Sequence, residues 1–136
     1  MSSYRYINHT ADLGIEVTGK NFKEILTNIS KAIFETQISG EVEARTKVNF
    51  RLKSESRQDL FIDWCRELLY YFAVKAFIPK IYKISLKGKS LSAELMGDTF
   101  NPDKSKIKLE IKNVTYHNFK LKKTSKGYKS TVIFDV

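Results

Sequence analysis

Tyr82-Lys83-Ile84-Ser85-Leu86-Lys87-Gly88-Lys89-Ser90-Leu91-Ser92-Ala93-Glu94-Leu95 is the stretch on which the reading of the fold turns. Tyr82, Ile84 and Leu86 recur at every second position, as do Leu91, Ala93 and Leu95, with lysine, serine and glutamate between them. Successive side chains of a strand point to opposite faces, so each half reads as a strand with one apolar and one wet face. Gly88-Lys89 between the halves suits a tight hairpin turn, because glycine reaches the positive-φ backbone such turns require. The two strands are expected as antiparallel neighbours.

Upstream, Leu60, Phe61, Trp64, Leu68, Leu69 and Phe72 form a wide apolar stripe at helical spacing that extends to about Lys75. Ser56 with Asp59 resembles a capping pair at its start, and Pro79 ends any helical continuation. Val48, Phe50 and Leu52 alternate with Lys47, Arg51 and Lys53 as a half-wet strand. Before it, Phe22, Ile25, Leu26, Ile29, Ala32 and Ile33 predict a helix over about Asn21 to Gln37, with Asn21 and Glu24 as a capping box and Gly40 just past its end. Leu13 to Val17 and Tyr4 to Asn8 read as strands. Downstream, Ile107, Leu109 and Ile111 begin a strand that runs on toward His117, and Phe119 and Leu121 continue it or its partner. Ser125-Lys126-Gly127 turns into a final strand with Val132 and Phe134. Two amphipathic helices and a set of half-wet strands predict an α+β fold of two layers, the helices packed on a mainly antiparallel sheet.

The chain has 136 residues, with 42% hydrophobic and 29% charged, and it shows no internal repeat or Pro/Gly/Ser linker. One domain spanning 1–136 is expected, since a single core accommodates that length. No apolar run approaches the roughly 20 residues of a membrane span, and Met1 to Tyr6 lacks the apolar stretch of a secretory signal, so a cytoplasmic location is expected. Cys65 is the one cysteine, which excludes an internal disulfide, and with two histidines a zinc site of the Cys/His type lacks ligands. The net charge of +9 favours attraction to nucleic acid or to an acidic protein surface. Lysines gather toward the C-terminal half, among them Lys120, Lys122, Lys123, Lys126 and Lys129.

Three constellations have chemical content. His9-Thr10-Ala11-Asp12 lies between two expected strands, either as a turn that caps its own backbone or as a loop holding a carboxylate at the sheet edge. Val132-Ile133-Phe134-Asp135-Val136 is strand-like. Asp135 and the α-carboxylate of Val136 then place two anionic groups at one strand end, either solvated or compensated by a cation, for which oxygen donors suit calcium or magnesium. Were Asp12 to come alongside, three carboxylates from opposite ends of the sequence would meet. Third, Lys112 sits in Glu110 to His117 on a strand that faces either solvent or an anionic partner. Glu67, three residues after Trp64, borders the helical stripe, either solvated or within reach of a sheet-edge site. Gly-rich phosphate loops and nucleophile elbows are absent from the sequence.

His9-Thr10-Ala11-Asp12 followed by Gly14, Arg66-Glu67-Leu68-Leu69-Tyr70, Glu110-Ile111-Lys112 with Val114-Thr115-Tyr116-His117, and the closing Phe134-Asp135-Val136 together resemble the archease family, in the family's order and across nearly the whole chain. The resemblance implies an accessory protein, not an enzyme, that activates an RtcB-type RNA ligase in tRNA splicing and RNA repair. In the family it promotes transfer of guanylate from GTP to the ligase's active-site histidine, allowing multiple turnover. It further implies metal ligands at Asp12, Asp135 and the Val136 carboxyl, with calcium the ion typically bound, and a functional lysine at Lys112. Partner or nucleotide contacts are expected at Lys112, His9, Glu67 and His117. The sequence departs from the family at Asn113, where alanine is frequent, and at Gly97-Asp98, where Gly-Glu is usual. The alternatives are a basic module that binds tRNA directly and a metal-dependent hydrolase using the same carboxylates.

Overall fold

The computed structural model describes residues 3–7 and 12–136. Its elements run β1 (Tyr4–Ile7), β2 (Leu13–Gly19), α1 (Phe22–Gln37), β3 (Ile38–Gly40), β4 (Thr46–Lys53), α2 (Arg57–Lys75), β5 (Phe77–Lys87), β6 (Ser90–Thr99), β7 (Ser105–Ile107), β8 (Asn113–Thr124) and β9 (Gly127–Asp135). The expected hairpin is β5–β6, with Tyr82 opposite Leu95, Ile84 opposite Ala93 and Leu86 opposite Leu91. Gly88 turns it at a φ of 61°. β4 pairs with the other edge of β6.

Both helices start at the expected caps. The Asn21 side chain accepts from the Glu24 amide at 2.9 Å, while Glu24 accepts from the Lys20 amide at 3.1 Å. Ser56 accepts from the Asp59 amide at 3.1 Å. Each contact satisfies an amide that the first helical turn leaves without a partner. α2 stops at Ala76, whose left-handed φ of 52° and bond to the Phe72 carbonyl close the last turn. Pro79 lies beyond, inside β5, where the β5–β6 register shifts between Pro79 and Ile81. Such an irregularity tolerates a residue with no amide hydrogen.

Among the described residues all the strand pairs are antiparallel, and the α+β class with helices on antiparallel sheets holds. The strands divide among three sheets: β1-β2-β9-β8, β4-β6-β5 and the short pair β3-β7. This division corrects the single strand expected from Ile107 through His117. Ile107 ends β7 and pairs with Ile38, whereas β8 starts at Asn113 in another sheet. Ile111 between them is buried in a loop, so its burial imitates a strand's period without a strand.

α1 touches β2, β9 and β5, and α2 touches β8, β4 and β5, so the helix pair contacts both larger sheets. The pair is tied at Trp64, which is fully buried on α2. Its indole nitrogen donates to the Leu26 carbonyl at 3.1 Å and to the Ser30 hydroxyl at 2.8 Å, both on α1. Ser30 itself donates to the Leu26 carbonyl at 2.7 Å. Phe50 of β4 packs on the same indole at 5.6 Å between ring centres. No helix among the described residues is long and apolar enough to cross a membrane. Replacing Trp64 with Phe removes both hydrogen bonds and leaves a void, so denaturant unfolding should show a loss of about 2–3 kcal/mol with an unchanged m-value.

Candidate functional site

Leu13 of β2 and Val114 of β8 both stand opposite Phe134 of β9, forming one row across three strands. Phe134 and Val114 are buried. One step outward along the strands come Asp12, Asp135 and Asn113, with Asn113 paired to Asp135. Continuing the β2–β9 register outward sets Asp12 across from Asp135, a half-buried carboxylate against an exposed one. Like charges directly opposite on neighbouring strands cost a few tenths of a kcal/mol to about 1 kcal/mol unless something positive stands between them. Val136 follows, exposed, at the same strand end. Among the described residues no three His, Cys, Asp or Glu side chains gather closely enough to hold a metal ion by themselves. The donors at this end are oxygens, which suit calcium or magnesium in preference to zinc.

Lys112 is fixed here from two directions. Its amide donates to the Asp135 carbonyl at 2.8 Å, adding a bond just beyond the last β8–β9 pair. The residue before it, Ile111, is held by Gln37, whose side-chain oxygen accepts the Ile111 amide at 2.9 Å. The Gln37 main-chain carbonyl also accepts the Lys108 amide at 2.7 Å. Gln37 is completely buried at the end of α1, and its side-chain nitrogen has no hydrogen-bond partner among the described residues. One buried amide group therefore suspends the loop that delivers the exposed Lys112 to the strand end.

α2 supplies the facing wall. Arg66 lies over the Tyr116 ring at 5.5 Å and pairs with Asp63 at 3.5 Å, while the Tyr116 hydroxyl donates to Asp59 at 2.7 Å. Burial, followed by the bond to Asp59, pushes the Tyr116 phenol up to about 12, so it remains a neutral donor. Between the walls opens a cleft of about 630 Å³, in which Arg66 and Tyr70 face Phe100, Ile107, Glu110 and Lys112. It offers cations at two positions over an apolar floor, beside the carboxylate end of β9.

The residues singled out from the sequence are distributed unevenly. Asp12, Asp135, Val136 and Lys112 lie toward the same end of the first sheet, Lys112 joined to Asp135 through the main chain. Glu67 lies half-buried on α2, where burial and then the neighbouring Asp63 raise its carboxyl above the ordinary range. His117 lies in the stretch of β8 that slips register between Thr115 and Lys120, next to Asn118 with its left-handed φ of 54°. His9 falls outside the described residues. Gln37 was not anticipated, although it falls four residues after Ile33 in the series Ile25, Ile29, Ile33, a polar residue in the apolar stripe of α1. The Tyr116–Asp59 contact joins elements far apart in sequence and has no local signal.

The model of the Archease protein family (MTH1598/TM1083) matches residues 4–136. The protein archease of Methanosarcina acetivorans is 32% identical, the match covering 98% of this chain and 95% of that protein. The protein archease of Archaeoglobus fulgidus is 31% identical, over 98% of each. The solution structure of protein 1598 of Methanobacterium thermoautotrophicum superposes with a TM-score of 0.83 at 28% identity, covering the whole of both chains.

Shortening Gln37 to Ala strands the Ile111 amide, at a cost of about 1–3 kcal/mol. Hydrogen exchange should quicken at Ile111 by tenfold or more, while Lys108, held by the main chain of residue 37, keeps its protection; equal loss at both amides would refute the side-chain tether.

Proposed function

This chain belongs to the archease protein family, and on that premise we propose that it is a non-enzymatic accessory factor that activates an RtcB-type RNA ligase in the cytoplasm. It promotes transfer of guanylate from GTP to the ligase, and so the ligase's repeated turnover in tRNA splicing and RNA repair. The observation that carries this reading is the strand end at which Asp12, Asp135 and the main-chain-anchored Lys112 converge. Guanylate transfer is governed by placement and charge, so a protein that contributes a fixed charged tip can accelerate it without forming a covalent bond. Cys65 offers no alternative nucleophile, because complete burial pushes its thiol far up and keeps it protonated.

In this proposal Asp12 and Asp135, with the oxygens of Val136, hold a divalent cation, calcium or magnesium. Carboxylate and carbonyl oxygens suit that role, since calcium and magnesium take oxygen donors. The bound ion supplies positive charge at the tip. Lys112 reaches the ligase or its nucleotide across the cleft, with Arg66 as a second cation on the opposite wall. His9, Glu67 and His117 are assigned to contact with the partner.

The test is guanylylation of a purified RtcB-type ligase with GTP, followed over repeated turnover. The wild type should stimulate it, and Asp12→Ala and Lys112→Ala should each lose at least about tenfold of that stimulation while melting like the wild type. Undiminished stimulation by both variants would sink the proposed site, and no stimulation by the folded wild type would sink the activator role.

Cation binding has a separate readout. Calcium or magnesium should raise the melting temperature of the wild type in proportion to the logarithm of its concentration. Asp135→Asn should abolish that response, and a response kept by this variant would refute the cation site.

A further inference from the structure

The outer face of the β4-β6-β5 sheet lies apart from the strand end just described. Its inner positions, Val48, Phe50 and Leu52 on β4, Leu91, Ala93 and Leu95 on β6, and Tyr82, Ile84 and Leu86 on β5, belong to the core. The alternate positions therefore form the opposite face. Register aligns them in rows: Lys53, Ser90 and Lys87; then Arg51, Ser92 and Ser85; then Asn49, Glu94 and Lys83; then Lys47, Met96 and Ile81.

The rows make a trough. The central strand presents the short side chains Ser90 and Ser92, whereas the flanking strands carry long cationic ones, Arg51 and Lys53 on β4 and Lys83 and Lys87 on β5. A cavity of about 480 Å³ lies along this centre, lined by Asn49, Arg51, Lys83, Ser85, Ser92 and Glu94. Glu94, the single acidic group of the rows, is already paired to Lys47 at 3.3 Å. Among the described residues, none of Arg51, Lys53, Lys83 and Lys87 forms an ion pair. Residues two apart on a strand are about 6.8 Å apart, and the flanking strands lie about 10 Å from each other. Cations thus recur regularly on both banks of a channel floored by hydroxyls.

We propose that this face binds the phosphate backbone of a nucleic acid, laid along β6 between the basic rows. Repeating cations at even spacing match a polymer of evenly spaced anions, and serine hydroxyls donate to phosphate oxygens. An acidic protein would match the charge, but interfaces between proteins are organised around a buried apolar or aromatic centre. Here the apolar residues Met96 and Ile81 occupy one end of the face, and its middle is polar. The rows carry no aromatic side chain on which a base would stack. The face accordingly reads backbone and not sequence. This inference does not rest on the ligase reading, and its test contains no ligase, so either can fail alone.

The test is fluorescence anisotropy with a labelled single-stranded RNA of mixed sequence, and a second of scrambled sequence, titrated with the intact protein over a series of salt concentrations. Wild type should bind both alike, with affinity falling steeply as salt rises. Changing Arg51, Lys53, Lys83 and Lys87 together to Gln should weaken binding by tenfold or more at low salt and reduce the logarithmic salt slope by about 3, at roughly 0.7 per lost phosphate contact. A control with the same charge change, Lys120, Lys122, Lys123 and Lys126 to Gln, should stay within about twofold of wild type. Both variants alter exposed residues, and matching melting curves exclude misfolding as the cause. No binding by wild type, equal weakening by the control, or displacement of RNA by polyglutamate of equal charge as readily as by unlabelled RNA would each overturn the proposal, the last in favour of an acidic protein.

Discussion

Phe134 holds this molecule in register. It is fully buried on the inner strand β9, with Leu13 on one side and Val114 on the other. A slip of one residue in either pairing would turn the buried side of β9 toward solvent, so the alignment is set by the core and not by the polar residues beyond it. Those polar residues inherit their positions. Asp12 and Asp135 each lie one residue beyond the paired Leu13 and Phe134, and the Lys112 amide meets the Asp135 carbonyl just beyond the pairing of Val114 with Phe134. Gly14 extends the constraint outward: a Cβ there would fall 2.5 Å from the Ile7 side chain, so β1 closes over β2 only with glycine at that point.

The helices give the molecule two chemically different surfaces. Trp64 binds α2 to α1 through the Leu26 and Ser30 oxygens, and the joined pair contacts both larger sheets. The first sheet ends in carboxylates and Lys112. The second spreads arginine and lysine over its outer face. An overall charge of +9 describes neither, because the sign and density of charge are set locally by which strand positions face outward.

What could be read in the sequence was what nearby residues decide. The β5–β6 hairpin, both N-caps and the helix stripes depend on partners within a turn or two, and they stand where the periodicity puts them. The partition into sheets depends on distant partners. Ile107 and Ile111 carry the same alternation, yet one pairs with Ile38 and the other hangs from Gln37. The β8 irregularity around Asn118 likewise interrupts a pattern that looked continuous. For the candidate site, residue types alone suggested carboxylates at two places, and it was the register that set Asp12 across from Asp135. The role given to Glu67 came from its place beside the helical stripe as well as from resemblance, and the structure sets Glu67 half-buried on α2 and His117 on the irregular part of β8.

The position of β9 also bears on how the first sheet is closed. Its two neighbours, β2 and β8, are both synthesised before it, and β2 precedes it by most of the chain. Until β9 pairs with it, β2 presents an edge with unpaired amides and carbonyls, open to association with other chains, whereas β8 is separated from β9 by Ser125-Lys126 alone. Long-range pairing of this kind forms slowly, since the entropy of closing the loop must be overcome before any contact rewards it. The α1 and α2 pair, by contrast, needs no residue of β9 for its Trp64 bonds. Alignment of Asp135 thus depends on the strand pairing of longest sequence reach, whereas the helix pair and the β4-β6-β5 sheet draw on residues between Phe22 and Thr99 alone.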